Sequence, residues 1–369
     1  MIFVRDVEKN SVSLRMRKAY TNADISSHTV LTDDVFSYVD FFFKTHKKIL
    51  KDSSGKPLQS YHIYYWEQAR NFYNAAKVLP IDCSPLPMYY CMLNAVKAYI
   101  FYTASSYDDI KADLGQHGLH ESKGENDSHT LNLDSICVKR DGWGVFSRFA
   151  SLEHPNFDQL WTNGASGGVS LKRLLYQLPF IHSSYISTYN LARKYEKFIP
   201  MKANISPRFM YSKENKIKLV VDLDRNYFKQ NATTVPDDIK TTIPDEFEVN
   251  DKNSFQIVSR DCFKKKDIPS VYNSFRKHFS YISGDKRIWY LKKKKMTDDI
   301  ENINSMVLEI AIVHRFSEIV RYKPEQMIKL LDGKENWIIH EFLSIVLDQF
   351  MDEITCEITK EEIMPTRIK

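Results

Sequence analysis

The stretch SPLPMYYCMLNAVKAYIFYTA, residues 84–104, decides how the rest of the chain is read. Ser84 is a preferred helix N-cap residue, and Pro85 suits the first helical turn, where a missing N–H costs nothing. From there Met88, Met92, Val96 and Tyr99 recur at the spacing of one helical face. The preceding segment, SYHIYYWEQARNFYNAAKVLP (60–80), places Tyr61, Tyr65, Ala69, Phe72, Ala76 and Leu79 on the same spacing and closes at Pro80. Two such helices with a short connection predict an antiparallel pair. The pair is read as the start of a helical bundle.

Upstream, DDVFSYVDFFFKTHKKIL predicts a helix from Asp34 to Leu50, ended by KDSSGKP; the rest of residues 1–57 gives no clear pattern. Downstream, LDSICVKRDGWGVFSRFASL (133–152) alternates apolar and polar residues around Gly142 and Gly144, which predicts a short hairpin before a helix. TNGASGGVSLKRLLYQLP (162–179) is a glycine-rich loop leading into a helix capped by Ser170 and ended before Pro179. SSYISTYNLARKYEKF (183–198) predicts a further helix. After Pro200 the texture changes. KIKLVVDL, SFQIVSR and KRIWYLKK are β-branched or aromatic runs between Asn-, Asp- and Pro-rich loops, so a small antiparallel sheet is expected across 206–295. Helices return with SMVLEIAIVHRFSEIVRY, a short one from Pro324 to about Gly333, and NWIIHEFLSIVLDQF; the charged residues from Asp352 onward are expected to fray. The expected fold is a predominantly α-helical α+β protein. Residues 58–205 and 296–369 form the helical bundle body, and 206–295 a small antiparallel β lobe.

Of 369 residues, 43% are hydrophobic and 27% charged, enough apolar surface to exclude general disorder. Only 11 Gly against 22 Phe and 21 Tyr favours helices over a many-turned β-sandwich. Cys83, Cys91, Cys137, Cys262 and Cys356 are scattered without a CxxC pair, which argues against a zinc knuckle or disulfide framework. The start, MIFVRDVEKN, meets charge at its fifth residue and predicts no signal peptide. No apolar run approaches the roughly 18 residues a membrane span needs. A cytoplasmic protein with no membrane partner is expected, and its net charge of +5 permits a nucleic-acid partner without demanding one.

Six short segments occur in an order that resembles the YaaC-like family of bacterial proteins. They are SPLPMYYCMLNAVKAYI (84–100), HGL (117–119), GVFSRF (144–149), LLYQLP (174–179), RYKP (321–324) and IIHEFL (338–343). The resemblance runs over about residues 60–350 and is poor in the first 55 residues and the sheet-like middle. It implies a bacterial protein whose relatives sit in antiviral defence gene sets. It carries no assigned catalytic residues. The paired helices are also similar in style to HEPN bundles, some of which are metal-independent ribonucleases, an analogy of architecture alone.

The polar loop DLGQHGLHESKGENDSHT (113–130) carries three histidines. His117 and His120 are spaced to begin a metal site, which His129, Glu121 and Asp127 would complete by folding back. The alternative is a turn in which Gly118 supplies the bend, Leu119 plugs the core and His117 hydrogen-bonds a neighbour. In RFASLEH, Arg148 and His154 match a ribonuclease-type spacing, the arginine facing a developing phosphorane and the histidine exchanging a proton. Pro155 biases His154 away from a helix, which instead favours a capping histidine. NGASGG (163–168), ahead of Ser170, Lys172 and Arg173, invites a phosphate reading, but Val169 stands where a Walker motif needs Lys. His314 and Arg315 with Glu309 and Glu318 form a candidate polar cluster; Tyr322 and Trp337 are expected to be buried.

Between residues 264 and 295 eleven Lys or Arg stand against two Asp, a local charge of about +9, more than the whole chain's net charge. Lys264, Lys265, Lys266, Arg276, Lys277, Lys286, Arg287, Lys292, Lys293, Lys294 and Lys295 are interleaved with Phe275, Phe279, Tyr281, Trp289 and Tyr290. Such a mixture suits a phosphate backbone with unstacked bases, DNA or RNA; equally it suits an edge strand whose aromatics turn inward. The expected function is a non-catalytic accessory protein of a defence or stress assembly, without cofactor. Its basic lobe would bind nucleic acid or a partner protein, and a homodimer is compatible with it. The alternative is a HEPN-like ribonuclease.

Overall fold

A computed structural model describes residues 14–21, 23, 29–122, 131–162, 168–211, 216–228, 232–250, 255–284, 288–294 and 299–366. Among them the chain is a mixed α+β protein of twelve α-helices and several small antiparallel sheets. It begins with strands β1 (Leu14–Arg15) and β2 (Thr29–Leu31), then helices α1 (Val35–Thr45), α2 (Tyr61–Val78) and α3 (Pro85–Thr103). Strands β3 (Leu119–Glu121) and β4 (Cys137–Arg140) precede α4 (Val145–Glu153) and α5 (Phe157–Leu160). Strand β5 (Val169–Ser170), α6 (Leu171–Leu175) and α7 (His182–Thr188) follow. The strand-rich stretch holds β6 (Phe198–Pro200), β7 (Arg208–Tyr211), β8 (Ile217–Asp222), α8 (Asp237–Lys240), β9 (Phe247–Val249), β10 (Gln256–Ser259), α9 (Ile268–Arg276), β11 (Phe279–Ile282) and β12 (Ile288–Lys292). The chain closes with α10 (Ser305–Tyr322), α11 (Pro324–Leu331), α12 (Asn336–Thr359) and β13 (Glu362–Met364).

Two compact units result. One comprises Val30–Glu196 with the described part of Thr297–Lys369; the other joins the described residues up to Thr29 to those of Lys197–Met296. In the first, α3 is central and packs against α2, α4, α10 and α12. Met88, Met92, Val96 and Tyr99 are buried as the spacing predicts, but so are Leu93, Ala98 and Ile100 on its other sides. Pro85 occupies the first turn, whereas the Ser84 hydroxyl donates back to Ile81 O (3.3 Å) and caps no helix amide. On α2 the buried stripe is His62, Trp66, Ala69 and Ala76, rotated from the predicted face; Tyr61 and Leu79 are exposed. Trp66 sets that rotation. Its indole lies between Phe36 and Phe43 of α1 (5.3 and 6.3 Å), and its N–H donates to Phe36 O. Tyr65 and Phe72 still stack on Phe101 and Tyr90 of α3, half-buried.

Four further expectations need correcting. The first helix stops at Thr45, not Leu50, because the Thr45 hydroxyl turns back onto Phe41 O (2.9 Å) and His46 stacks on Phe42. β4 makes no local hairpin: its partners are β3 and β5, in the order β3-β4-β5. α7 ends at Thr188, and the chain turns at Asn190 with φ +49°. The end of α12 does not fray. Met351 through Thr359 are all buried, and Lys360 (φ +61°) closes the helix by donating its N–H to Cys356 O (2.8 Å).

The second unit carries two antiparallel sheets, β1-β7-β8-β10-β9 and β11-β12-β6. The three predicted strand runs become β8, β10 and β12. N-terminal β1 pairs with β7, so the first 57 residues divide between the two units. Phe209, Leu219, Val221, Ile257, Phe275, Phe279 and Trp289 fill one core. No helix among the described residues is long and apolar enough to cross a membrane.

Candidate functional site

The HGL loop is held by glycine geometry. Gly118 (φ +81°) and Gly144 (φ +102°) both lie in the left-handed half of backbone space. A Cβ on Gly144 would fall 2.8 Å from Gly118 Cα and N, and one on Gly118 2.7 Å from Trp143 O. The two backbones run against each other where no side chain fits. That approach lets Val145 and Phe146 donate their N–H groups to Gln116 O (2.9 Å) and His117 O (3.1 Å). The loop's carbonyls thus satisfy amides that the start of α4 would otherwise leave unpaired. Leu119 is buried, as the turn-and-plug reading expects.

This anchoring presents the His117 ring to Tyr89 of α3, with Tyr89 Oη 2.7 Å from His117 Nδ1. Burial first, then the Glu318 charge, pushes the Tyr89 phenol well above its ordinary value, so it stays protonated. A buried O–H needs an acceptor, and His117 Nδ1 is the one it has among the described residues. Donation to Nδ1 leaves the imidazole proton on Nε2. Behind them His314 of α10 meets the Tyr89 ring edge-on at 4.8 Å, 6.0 Å from the His117 ring. Burial and neighbouring His117, Arg315 and His120 drive His314 down to about 3, and its Nδ1 makes no hydrogen bond. Arg315, 2% exposed, donates to Cys137 O and toward Glu318 and Glu121, while Lys323 donates to Glu121 (2.8 Å).

His117 is lowered by burial, then by the cations Lys97 and Arg321. Lys97 lies over Tyr65 (5.4 Å) and Arg321 over Tyr322 (4.9 Å); no carboxylate among the described residues pairs with either. The site therefore offers one uncharged N–H donor beside two uncompensated cations. That combination favours an anion.

A family model, YaaC-like Protein, matches residues 36–358. The chain belongs to the YaaC-like family. No curated protein and no solved structure matches it. The YaaC-like match takes in all of the His117 site and also Lys197–Met296 of the strand-rich unit, which the six motifs left out, but not that unit's β1.

The other sequence candidates of this YaaC-like chain disperse. His120 goes to Asp141 (Nδ1–Oδ1 3.4 Å), away from the Tyr89 partner of His117, and Glu121 is engaged by Lys323 and Arg315. No metal-holding group of His, Cys, Asp or Glu occurs among the described residues; Asp127 and His129 lie outside them. His154 is buried, and its Nε2 accepts the Asn304 N–H (3.0 Å) ahead of α10, a structural contact other than the cap of its own helix. Arg148 is half-buried six positions earlier on α4, about 120° around the helix axis. In the phosphate-like loop, residues 163–167 are outside the description; Ser170 caps α6 by accepting the Arg173 N–H, and Lys172 pairs with Asp134. Tyr322 and Trp337 are exposed rather than buried, and Glu309 lies with Glu353, apart from the His314–Arg315–Glu318 group.

The basic lobe is the larger correction. Arg276 is 5% exposed, donating to Arg17 O, Lys18 O and Phe279 O at 2.7–3.1 Å and sandwiched by Tyr20 and Trp289. Phe275, Phe279, Tyr281 and Trp289 are core residues and Tyr290 is half-buried, so four of the five aromatics expected to stack turn inward. Lys277 and Lys294 pair with Glu246 and Asp245 of their own unit. Lys292 and Lys293 are half-buried, Lys264, Lys265 and Lys266 are exposed, and Lys286, Arg287 and Lys295 lie outside the described residues. Arg276→Ala is expected to cost about 3 kcal/mol or more of stability, because three carbonyls lose a charged donor. A urea melt checks this; an unchanged midpoint would refute the buried role.

Sequence reading missed Tyr89, Lys97 and Arg321. Their convergence on His117 is tertiary, but His314 had a signal: a histidine in the middle of the apolar run IAIVHRF.

Proposed function

We propose that this YaaC-like protein is a non-catalytic accessory component that binds a nucleic-acid backbone. The His117–Lys97–Arg321 face is the contact, and Lys264–Lys266 are the lysines of the basic lobe that are exposed without an acidic partner among the described residues. In this reading the helical unit is a bundle scaffold and the chain a predominantly helical one. The observation that carries it is the pair of cations with no carboxylate partner among the described residues, beside an N–H donor on an exposed histidine fixed by Tyr89. A phosphate would pair with these cations and accept a hydrogen bond from Nε2–H. The family resemblance supports a place in a bacterial antiviral-defence or stress assembly, which a pull-down from the native host examines.

Replacing Lys97 and Arg321 together by Ser is expected to weaken single-stranded RNA or DNA binding at least tenfold. The log–log salt slope should fall by about 1.4, from two lost phosphate contacts. Replacing Lys292 and Lys294 by Ser is expected to change affinity less than twofold. Fluorescence anisotropy across a salt series measures both, and equal affinities for wild type and the Lys97/Arg321 variant would refute the site. A second reading, metal-independent ribonuclease, rests on the same Nε2–H as an uncharged hydrogen-bond donor to the developing phosphorane charge. It requires EDTA-resistant RNA cleavage that is lost in His117→Ala.

A further inference from the structure

The buried end of α12 carries acids that the anion site does not use. Glu309 of α10 is fully buried, and neither carboxyl oxygen has a hydrogen-bond partner among the described residues. It faces Glu353 of α12, where the donors converge: Ser305 Oγ at 2.5 Å and the Gln349 side-chain amide. Glu153 of α4 is buried against Glu357 of α12; Asn304 Nδ2 donates to one of its oxygens (2.8 Å), and the other is unpartnered. Lys360 pairs with Glu357. An ionised carboxylate without donors in such an interior costs several kcal/mol, more than keeping its proton.

We propose that this region is a proton-held clasp: the end of α12 stays docked against α4 and α10 only while Glu309 and Glu153 remain neutral beside their glutamate partners. Burial, then Glu353, holds Glu309 well above the ordinary glutamate value of 4.5; burial, then Glu357, does so for Glu153, against Lys360, Tyr99 and Asn304. The other polar groups around α12 are committed elsewhere. His154 accepts from Asn304, His182 of α7 stacks on Tyr176, and Tyr38 of α1 donates to Glu361. Asp352 and Glu362 are further buried acids on the same segment. The unfolded chain releases the Glu309 and Glu153 protons near pH 4.5, the folded chain only well above it. Folding therefore binds protons, so the stabilisation is complete below that value and is lost as pH rises toward the folded values.

Hydrogen exchange of the peptide 349–359, corrected for intrinsic rates, tests the clasp between about pH 5 and pH 9. Its opening equilibrium is expected to rise about tenfold per pH unit for each glutamate that titrates, about a hundredfold for the two. Glu309→Gln, the neutral isostere, is expected to remove one factor of ten and to protect the peptide at high pH; Glu153→Gln is expected to do the same independently. A wild-type slope unaltered in both variants would overturn the proposal, as would a peptide whose protection ignores pH. Restored protection by millimolar Mg²⁺ or Ca²⁺ at high pH would overturn it too, assigning the acids to a cation.

Discussion

Removing everything after Met351 is expected to abolish cooperative folding of the helical unit. By composition this tail is acidic and reads as solvated, yet Ile354, Cys356, Ile358 and Ile363 are at most 3% exposed. Burying one such isoleucine contributes about 1.5–3 kcal/mol, so the three alone represent roughly 5–9 kcal/mol. That equals the whole stability of many domains, about 5–15 kcal/mol. The truncation also removes β13, whose Met364 O accepts the Thr32 N–H (3.0 Å). Circular dichroism should show loss of the sigmoidal thermal transition; a melt within a few degrees of the full chain would contradict the buried tail.

Gly144→Ala is expected to cost about 3–5 kcal/mol and to detach His117 from Tyr89. Gly144 sits at φ +102°, ψ 174°, a region essentially restricted to glycine, where another residue costs about 1–3 kcal/mol. The new Cβ would also meet Gly118 backbone at 2.8 Å, and backbone anchored by the Gln116 and His117 carbonyls cannot retreat without breaking those hydrogen bonds. Gly142→Ala is the matched control: nothing lies within 4 Å of its Cβ and its φ is ordinary, so a change within about 1 kcal/mol is expected. Urea unfolding of the pair gives the difference directly. Similar midpoints would show that the two backbones do not need their close approach.

The strongly periodic segments were legible because local repeats report burial. α2, α3, α10 and the first half of α12 announce themselves by apolar spacing, and Pro85 and Pro324 mark two starts. Periodicity failed where a single side chain outweighed it. Trp66 shifted the buried stripe of α2 because its indole found Phe36 and Phe43, while Ala69 and Ala76 stayed on it. Charge was the less faithful guide. Lysines and glutamates were read as solvated or as ligand-facing. Arg276 nevertheless holds three carbonyls in a core, and Glu309, Glu353 and Glu357 line another. For the candidate site, HGL and GVFSRF were visible as segments, and His117 as a candidate. Tyr89, Lys97 and Arg321 were not, being 28, 20 and 204 positions away from it, and His314 was read into a separate polar cluster.

The order and type of most elements follow from the chain alone, since helical and strand spacing, proline and the β-branched runs are local properties of neighbouring residues. Tertiary structure alone decided which charges face water. Whether a lysine meets solvent or a glutamate, and whether a glutamate keeps its proton, depends on desolvation and on partners far away in sequence. Those are properties of the packed interior, and no window of adjacent residues contains them.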